Sequence, residues 1–317
     1  MIIVRSPLRI TLGGGGTDMP SYYRKHGGFT LTAAINKYVY VAVSKPFKPG
    51  VHLKYSQLED VERVEQVQHP IIREALKLKG VANCIDIVTL ADVPAGTGLG
   101  SSSSFTTALW KALCAFKHES IEARALAEVA CELEIEKCGV NIGKQDQYAA
   151  AYGGIMALTF KKDGMVKAER LQLDREMLVD LEENLMLFFT GEYRDAGKAI
   201  ETAAASKTFL DYAKVIGLES RKVLEQHGDA RHLGNLMHAY WIEKRKLIGA
   251  TNGNIDRCYK IARANGAAGG KLVGAGGGGF LLFYAENKQR LRAAMAVEGL
   301  EELRFGFDYD GTKVVMS

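Results

Sequence analysis

The sequence predicts an α+β fold divided into two domains, and three observations support this prediction. The chain has 317 residues, enough for more than one hydrophobic core. Each half contains β-branched stretches followed by long helical patterns, without the regular alternation typical of a parallel α/β sheet. A turn at 161–164 separates the halves, so we assign the domains to residues 1–165 and 166–317.

The first domain begins with two predicted strands. Residues 2–12 are mainly apolar and end at a glycine cluster, and residues 29–45 are rich in β-branched and aromatic side chains, which favour strands. A helix is expected at 60–80 and a short apolar strand at 84–90. The first glycine cluster therefore lies at the end of the opening strand.

Three helical segments come next. Apolar residues recur at helical spacing over 105–116. Ser120 is the predicted N-cap of a second helix at 121–137. An alanine-rich helical turn lies between 143 and 153, and a strand at 155–160 ends the first domain.

The second domain combines short apolar strands with long helices. Its clearest helical face is formed by Leu233, Leu236, Met237, Tyr240, Trp241 and Leu247. The other predicted elements are strands at 185–189, 271–274 and 280–284, a helix at 287–297 and strands around Asp310.

The composition restricts the classes of partner and location. Hydrophobic residues at 47% and charged residues at 25% are typical of a soluble globular protein, and a net charge of +4 gives no reason to expect nucleic acid. The five cysteines are odd in number and scattered, which favours reduced thiols in the cytoplasm over disulfides or zinc. No secretory signal or membrane span is evident, so we expect a cytoplasmic protein, with a homodimer left open.

The stretch from Pro94 to Ser104 is suited to holding an anion. Its three alternate glycines tolerate positive φ and allow a close backbone approach to a ligand. Four serines follow where a helix begins, and free N–H groups and the helix dipole favour an anion there. The pattern predicts a phosphate-binding loop, although the serines could merely cap the helix. Glycine clusters at 13–16 and 274–279 mark two further sites.

Two familiar phosphate-binding motifs do not match this loop. A dinucleotide fingerprint needs G-x-G-x-x-G, whereas the loop reads G-x-G-x-G. A Walker loop needs a lysine after its last glycine, and Ser101 follows Gly100. The loop therefore belongs to a different class of phosphate site.

Four motifs, in order along the chain, resemble those of the GHMP kinases, the family of galactokinase, homoserine kinase, mevalonate kinase and phosphomevalonate kinase. They are Pro7-Leu8-Arg9 with Asp18, the P-x-x-x-G-L-G-S-S-S loop at 94–103, Glu134 with Asp146 in G-K-Q-D-Q, and Lys271-Leu272-Val273-Gly274-Ala275-Gly276-Gly277-Gly278. The resemblance implies a two-domain fold, with an N-terminal domain like ribosomal protein S5 and a ferredoxin-like C-terminal domain. It implies a kinase that uses ATP and Mg²⁺.

The resemblance also implies roles for individual residues in nucleotide binding and catalysis. Asp146 would take the proton of the sugar hydroxyl or align that hydroxyl, and Arg9 would keep Asp146 ionised. Ser102 and Glu134 would coordinate Mg²⁺. The implied ATP-binding residues are Pro94, Gly96, Gly98, Leu99, Gly100, Ser101, Ser102 and Ser103.

The implied substrate is a sugar phosphate. Gly15 and Gly16 stand where galactokinase carries a Glu-His pair, and the run from Gly13 to Pro20 resembles the D-glycero-D-manno-heptose 7-phosphate kinases. These kinases phosphorylate C1 on the way to nucleotide-activated heptose for surface glycans. The implied substrate-binding residues are Gly15, Gly16, Thr17, Asp18, Gly276 and Gly277, with Arg194, assisted by Lys198, as the candidate receptor for the existing phosphate.

Other interpretations stay open at this point. Asp146 could cap its helical turn, Glu134 could lie on a solvated helix face, Arg9 could form a structural ion pair and Asp18 could be a turn residue. The substrate could be galactose, fucose or a sugar acid. A catalytically silent ATP and sugar sensor and a nicotinamide oxidoreductase are the alternatives from other functional classes.

Overall fold

A computed structural model describes residues 1–193, 206–226, 228–248, 253–274 and 276–317. Its strands are β1 (Ile2–Gly13), β2 (Gly28–Ser44), β3 (Val51–Lys54), β4 (Leu58–Val61), β5 (Ile85–Ala91), β6 (Ile155–Phe160), β7 (Val166–Arg170), β8 (Leu185–Phe189), β9 (Ala267–Leu272), β10 (Phe280–Ala285), β11 (Glu301–Leu303) and β12 (Lys313–Met316). Its helices are α1 (Pro20–His26), α2 (Pro70–Lys79), α3 (Ser101–Phe116), α4 (Ala123–Cys131), α5 (Gln145–Tyr152), α6 (Arg175–Asn184), α7 (Lys207–Glu225), α8 (Arg231–Ile248), α9 (Gly253–Ala264) and α10 (Lys288–Val297).

The described strands form two sheets. The larger has the order β12-β1-β2-β5-β3-β4, and β6 and β7 extend it from the N-terminal half of β2. Its pairings are antiparallel apart from β3 with β5. The smaller sheet has the order β11-β8-β10-β9 and is antiparallel. This arrangement confirms the predicted α+β class.

Apolar packing joins the two sheets to each other and to their helices. On one face of the larger sheet, α2, α3 and α4 cover a core that includes Val41 and Leu109. A second core is shared by the two sheets and includes Ile10 of β1, Leu187 of β8 and Leu282 of β10. Helix α8 packs against β9 and β10, and α7 packs against both α8 and β1. The end of β1 and the strands of the smaller sheet therefore border one shared core.

Two predictions about helix starts are wrong. The helix expected at 60–80 begins only at Pro70, after β4 and a short turn of tighter helix at Val64–Gln66. Proline favours the first helical position, and the His69 side chain accepts a hydrogen bond from Ile72 N there. Ser120 is not an N-cap, because α4 starts at Ala123 after Glu122 without a side-chain cap.

The predicted strands at 2–12, 29–45, 84–90, 155–160, 185–189 and 280–284 and the helix at 287–297 are confirmed within a few residues. Helices α1 and α6 and strands β3, β4, β7 and β11 do not correspond to any predicted element. The domain boundary after residue 165 stays a prediction; beyond it, β7 and β12 both pair within the larger sheet. None of the described helices combines the length and the apolar character needed to cross a bilayer.

Candidate active site

The central glycine loop connects β5 to α3 and is fixed against the second sheet. Gly98 has a φ of +86°, and a Cβ at this position would lie 2.6 Å from the carbonyl oxygen of Val273. Only glycine therefore allows the loop to approach the turn after β9 this closely. The Ser101 hydroxyl lies at the start of α3 and is buried without a hydrogen-bond partner among the described residues. The loop thus offers a polar group that an added ligand could satisfy.

The serines after the loop do not cap α3. Its N-cap is Gly100, which has a φ of +79° and no side-chain hydrogen bond. Ser104 Oγ donates to the carbonyl oxygen of Pro7, and Ser102 Oγ donates to Glu134 Oε1 at 2.6 Å. The serine side chains therefore link the loop to β1 and to the segment that carries Glu134.

Glu134 lies in a segment of π-helix at Glu132–Lys137 that extends α4. The wider turn is marked by the Cys138 N–H donating to the Leu133 carbonyl, and π-helical turns are frequent at functional sites. Glu134 is fully buried, so a solvated helix face is excluded. Its second oxygen accepts a hydrogen bond from Gln147 Nε2 at 2.7 Å, and burial raises the pKa of the carboxyl. A buried carboxylate oxygen and a serine hydroxyl thus lie side by side at the start of α3.

Arg9 binds Asp146 with two parallel hydrogen bonds. Arg9 Nε and Nη2 donate to the two carboxylate oxygens of Asp146, each at 2.6 Å, and Nη1 donates to the Gly98 carbonyl at 2.6 Å. The Arg9 backbone N–H also donates to the Leu99 carbonyl at 2.9 Å. Asp146 lies in the first turn of α5, whose N-cap is Lys144, so it is not a cap. One buried arginine therefore holds both the Asp146 carboxylate and the central glycine loop.

Asp18 lines the same cavity as Arg9 and Asp146. Its carboxylate oxygens accept hydrogen bonds from the backbone N–H groups of Gly16 and Gln145, at 3.1 and 3.2 Å. Only 3% of the residue is exposed. Burial, reinforced by the charge of Asp146, raises the pKa of Asp18 to about 6, although these N–H groups and Arg9 act in the opposite direction.

These residues enclose one cavity. Arg9, Asp18, Asp146, Gly15 and Gly16 line it, and Gly274 contributes from the third glycine cluster. Thr17 does not line it, since its hydroxyl donates to backbone carbonyls at Gly14 and Phe29. Gly276 and Gly277 have positive φ in the turn after β9, but neither is among the described residues that line the cavity. The predicted phosphate receptor Arg194, with Lys198, lies outside the described residues.

Two lysines in the cavity wall were not predicted from the sequence. Lys244 of α8 and Lys271 of β9 line the cavity together with Tyr240, and all three are buried. Lys244 lies on the apolar face of α8, three or four residues after Tyr240 and Trp241, where a charged residue is unexpected. Lys271 is the first residue of the last of the four motifs and lies within a buried strand. The sequence signal that could have identified these two lysines is a charged residue at a position where the helical or strand pattern predicts an apolar one.

Comparison with known proteins identifies relatives of the whole chain. Models of the GHMP kinases N terminal domain and of the GHMP kinases C terminal domain match residues 65–154 and 220–298. The chain is 30% identical to the D-glycero-alpha-D-manno-heptose 7-phosphate kinase of Campylobacter jejuni, over 98% of each protein. It is 25% identical to the galactokinase of Pyrococcus furiosus, over 88% of this chain and 87% of that enzyme.

The fold also matches solved structures. A crystal structure of a D-glycero-D-manno-heptose 1-phosphate kinase from Bacteroides thetaiotaomicron superposes with a TM-score of 0.84, covering 100% of this chain and 99% of that one. The sequence identity of that pair is 24%, so the likeness is one of fold.

Proposed function

The chain belongs to the GHMP kinase family, as its four motifs predicted, and on that premise we propose that it phosphorylates the C1 hydroxyl of D-glycero-D-manno-heptose 7-phosphate. The enzyme is a phosphotransferase acting on a sugar. One observation supports catalysis at the described cavity above the others. The Asp146 carboxylate, held by Arg9, faces the cavity beside the start of α3, where a Cβ on Gly100 would lie 3.2 Å from Asp146 Oδ2.

In this proposal Asp146 accepts or aligns the proton of the attacking hydroxyl. Each carboxylate oxygen already accepts one hydrogen bond from Arg9, and a carboxylate offers about four acceptor positions, so room remains for a substrate hydroxyl. Phosphoryl transfer depends mainly on positioning and charge neutralisation, and Arg9 also holds the loop expected to carry the phosphate donor.

The residues beside the loop fit ATP and Mg²⁺, which GHMP kinases generally use. Ser101 supplies a buried hydroxyl that has no hydrogen-bond partner among the described residues, and Glu134 and Ser102 supply the hard oxygen ligands that Mg²⁺ prefers. Within the described ranges no three His, Cys, Asp or Glu side chains gather as a metal site, which suits an ion that takes its other ligands from phosphates and water. Bound Mg²⁺ would neutralise charge on the phosphates. The backbone N–H groups from Gly96 to Ser103 would bind the phosphates.

Two observations support a heptose phosphate as the acceptor. The Campylobacter jejuni relative that aligns over nearly the whole chain is named a heptose 7-phosphate kinase. Gly15 and Gly16 line the cavity without side chains, which leaves room for a sugar longer than a hexose. Asp18, beside them, would bind sugar hydroxyls.

The test is an assay with ATP, Mg²⁺ and a panel of sugars and sugar phosphates, followed by phosphorus NMR. The panel contains heptose 7-phosphate, the unphosphorylated heptose, galactose, fucose and a sugar acid. We expect heptose 7-phosphate to gain a second phosphorus signal that couples to the anomeric proton. If it is untouched while another sugar is phosphorylated, the substrate assignment is wrong.

A further inference from the structure

Two buried ammonium groups lie in the wall of the substrate cavity. Lys244 and Lys271 are 2% and 3% exposed. Lys244 Nζ donates to the Gly274 carbonyl at 2.8 Å. Lys271 Nζ has no hydrogen bond or ion pair within the described part of the chain. Its ammonium faces the ring of Tyr240, 5.0 Å from the centroid.

The two lysines line the cavity together with Gly15 and Gly16, the glycines that we assign to sugar binding. Lys244 Nζ is 5.7 Å from the centroid of the same Tyr240 ring, so both ammonium groups lie against one aromatic side chain. The Tyr240 hydroxyl donates to the Gly15 carbonyl at 3.3 Å. This contact connects the pair of lysines to the glycines before Asp18.

Lys271 is a buried cation without a carboxylate partner among the described residues. Of the two carboxylates in the described cavity lining, Asp146 is bound by Arg9, and Asp18 accepts its hydrogen bonds from the backbone N–H groups of Gly16 and Gln145. Burial, with repulsion from Lys244 and Arg9, lowers the pKa of Lys271 well below its usual value. A buried cation is costly unless it is paired, so an anionic ligand would remove this cost.

We propose that Lys244 and Lys271 bind the phosphate group that the sugar substrate already carries. This inference rests on the proposed sugar-phosphate kinase function. Two ammonium groups can offer several charge-assisted hydrogen bonds to a phosphate dianion. The same chemistry would suit the phosphoryl group that ATP transfers. The contact of Tyr240 with the sugar loop favours the substrate's phosphate, and the experiment separates the two sources.

The experiment compares Lys271→Met with the matched control Lys246→Met. Lys246 is on the same helix as Lys244 but is exposed and paired with Glu243. The kcat and KM values are measured for heptose 7-phosphate, for the same heptose without its phosphate, and for ATP. In Lys271→Met we expect the KM for heptose 7-phosphate to rise about 10- to 100-fold, the loss typical of a charge-assisted hydrogen bond. The KM values for the unphosphorylated heptose and for ATP should stay unchanged, as should all constants of Lys246→Met.

Other kinetic results would overturn the inference. An unchanged KM for heptose 7-phosphate in an active Lys271→Met enzyme would do so while leaving the proposed function intact. A fall in kcat for both sugars alike, or a higher KM for ATP, would instead assign the lysine to the transferred phosphoryl group. Thermal unfolding checks the fold of the variant, since removing a buried cation should leave the melting temperature of the ligand-free protein unchanged or higher.

A binding measurement keeps the inference testable if no sugar phosphate proves to be a substrate. Inorganic phosphate is titrated by calorimetry into protein saturated with Mg²⁺ and a non-hydrolysable ATP analogue, which occupies the glycine loop. Phosphate binding that weakens at least about 10-fold in Lys271→Met, and not in Lys246→Met, supports the anion site even when the substrate assignment fails. Equal phosphate binding by both variants overturns it.

Discussion

Replacing Asp18 with asparagine should change how the stability of the protein depends on pH. Asp18 is buried, its carboxylate accepts hydrogen bonds from the backbone N–H groups of Gly16 and Gln145, and burial raises its pKa to about 6. Asparagine has nearly the same shape but does not titrate. The difference in the free energy of unfolding between the wild type and Asp18→Asn therefore isolates the proton on this carboxyl.

The size of the effect follows from the two pKa values. The folded protein holds the Asp18 proton more tightly than the unfolded chain, whose pKa is taken as the ordinary 3.8. A rise from 3.8 to about 6 corresponds to about 3 kcal/mol, at about 1.4 kcal/mol per pH unit. Because the folded pKa is the higher, this stabilisation is fully present below about pH 4 and is lost as the pH rises through about 6. From about pH 4 to about pH 7 the wild type should lose about 2 kcal/mol relative to Asp18→Asn.

Urea unfolding at about pH 4, 5, 6 and 7 measures this difference. The Asp18 carboxylate accepts hydrogen bonds from two backbone N–H groups, and the asparagine amide would turn its own N–H₂ toward one of them. This lowers the free energy of unfolding by the same amount at every pH, so the test is how the difference between the two proteins changes with pH. Asp163→Asn is the control, since Asp163 lies in the exposed turn between β6 and β7 and its curve should run parallel to that of the wild type. A difference between wild type and Asp18→Asn that does not change with pH would refute the reasoning.

Three further substitutions test the rest of the site. Asp146→Asn should lower kcat by about 100- to 10,000-fold with little change in ATP affinity, measured by ADP release and calorimetry; near-normal turnover would remove Asp146 from its role. Glu134→Gln should raise the Mg²⁺ concentration needed for half-maximal activity by about 10-fold or more, and an unchanged Mg²⁺ titration would argue against a metal ligand. Gly98→Ala should cost about 1–3 kcal/mol in urea unfolding and weaken ATP binding, because its Cβ would meet the Val273 carbonyl at positive φ. Gly139→Ala also has positive φ but open space around the Cβ, so it should cost less and leave ATP binding unchanged; equal effects would contradict the contact argument.

The resemblance to the GHMP kinase motifs selected Arg9 and Asp146, although the two residues are 137 positions apart, and their side chains form a bidentate ion pair. The burial of the Glu134 side chain could not be predicted from its local sequence, because it depends on a π-helical segment and on hydrogen bonds with Ser102 and Gln147. The late start of α2 reflects Pro70, whose preference for a first helical position competed with the apolar pattern before it.

The lysines of the cavity show a different limit of sequence reasoning. Lys244 falls on the apolar face of α8, and a helical pattern alone cannot distinguish a tolerated charge from one that lines a cavity. Lys271 lies in a strand whose neighbours are glycine and leucine, and its cavity-facing position depends on the packing of α8 over β9. Both positions follow from contacts between elements that are distant in sequence, which no local pattern contains.

Arg9 makes the positions of the central glycine loop and the Asp146 carboxylate depend on each other. Its side chain holds Asp146 and the Gly98 carbonyl, and its backbone N–H holds the Leu99 carbonyl. Gly98 in turn packs against Val273, so the loop is also fixed by the turn after β9. Gly274 of that turn lines the cavity. A displacement of the loop would therefore alter the contacts that orient Asp146. Because phosphoryl transfer depends on alignment of donor and acceptor, a change that loosens the loop, such as Gly98→Ala, should reduce kcat as well as ATP affinity.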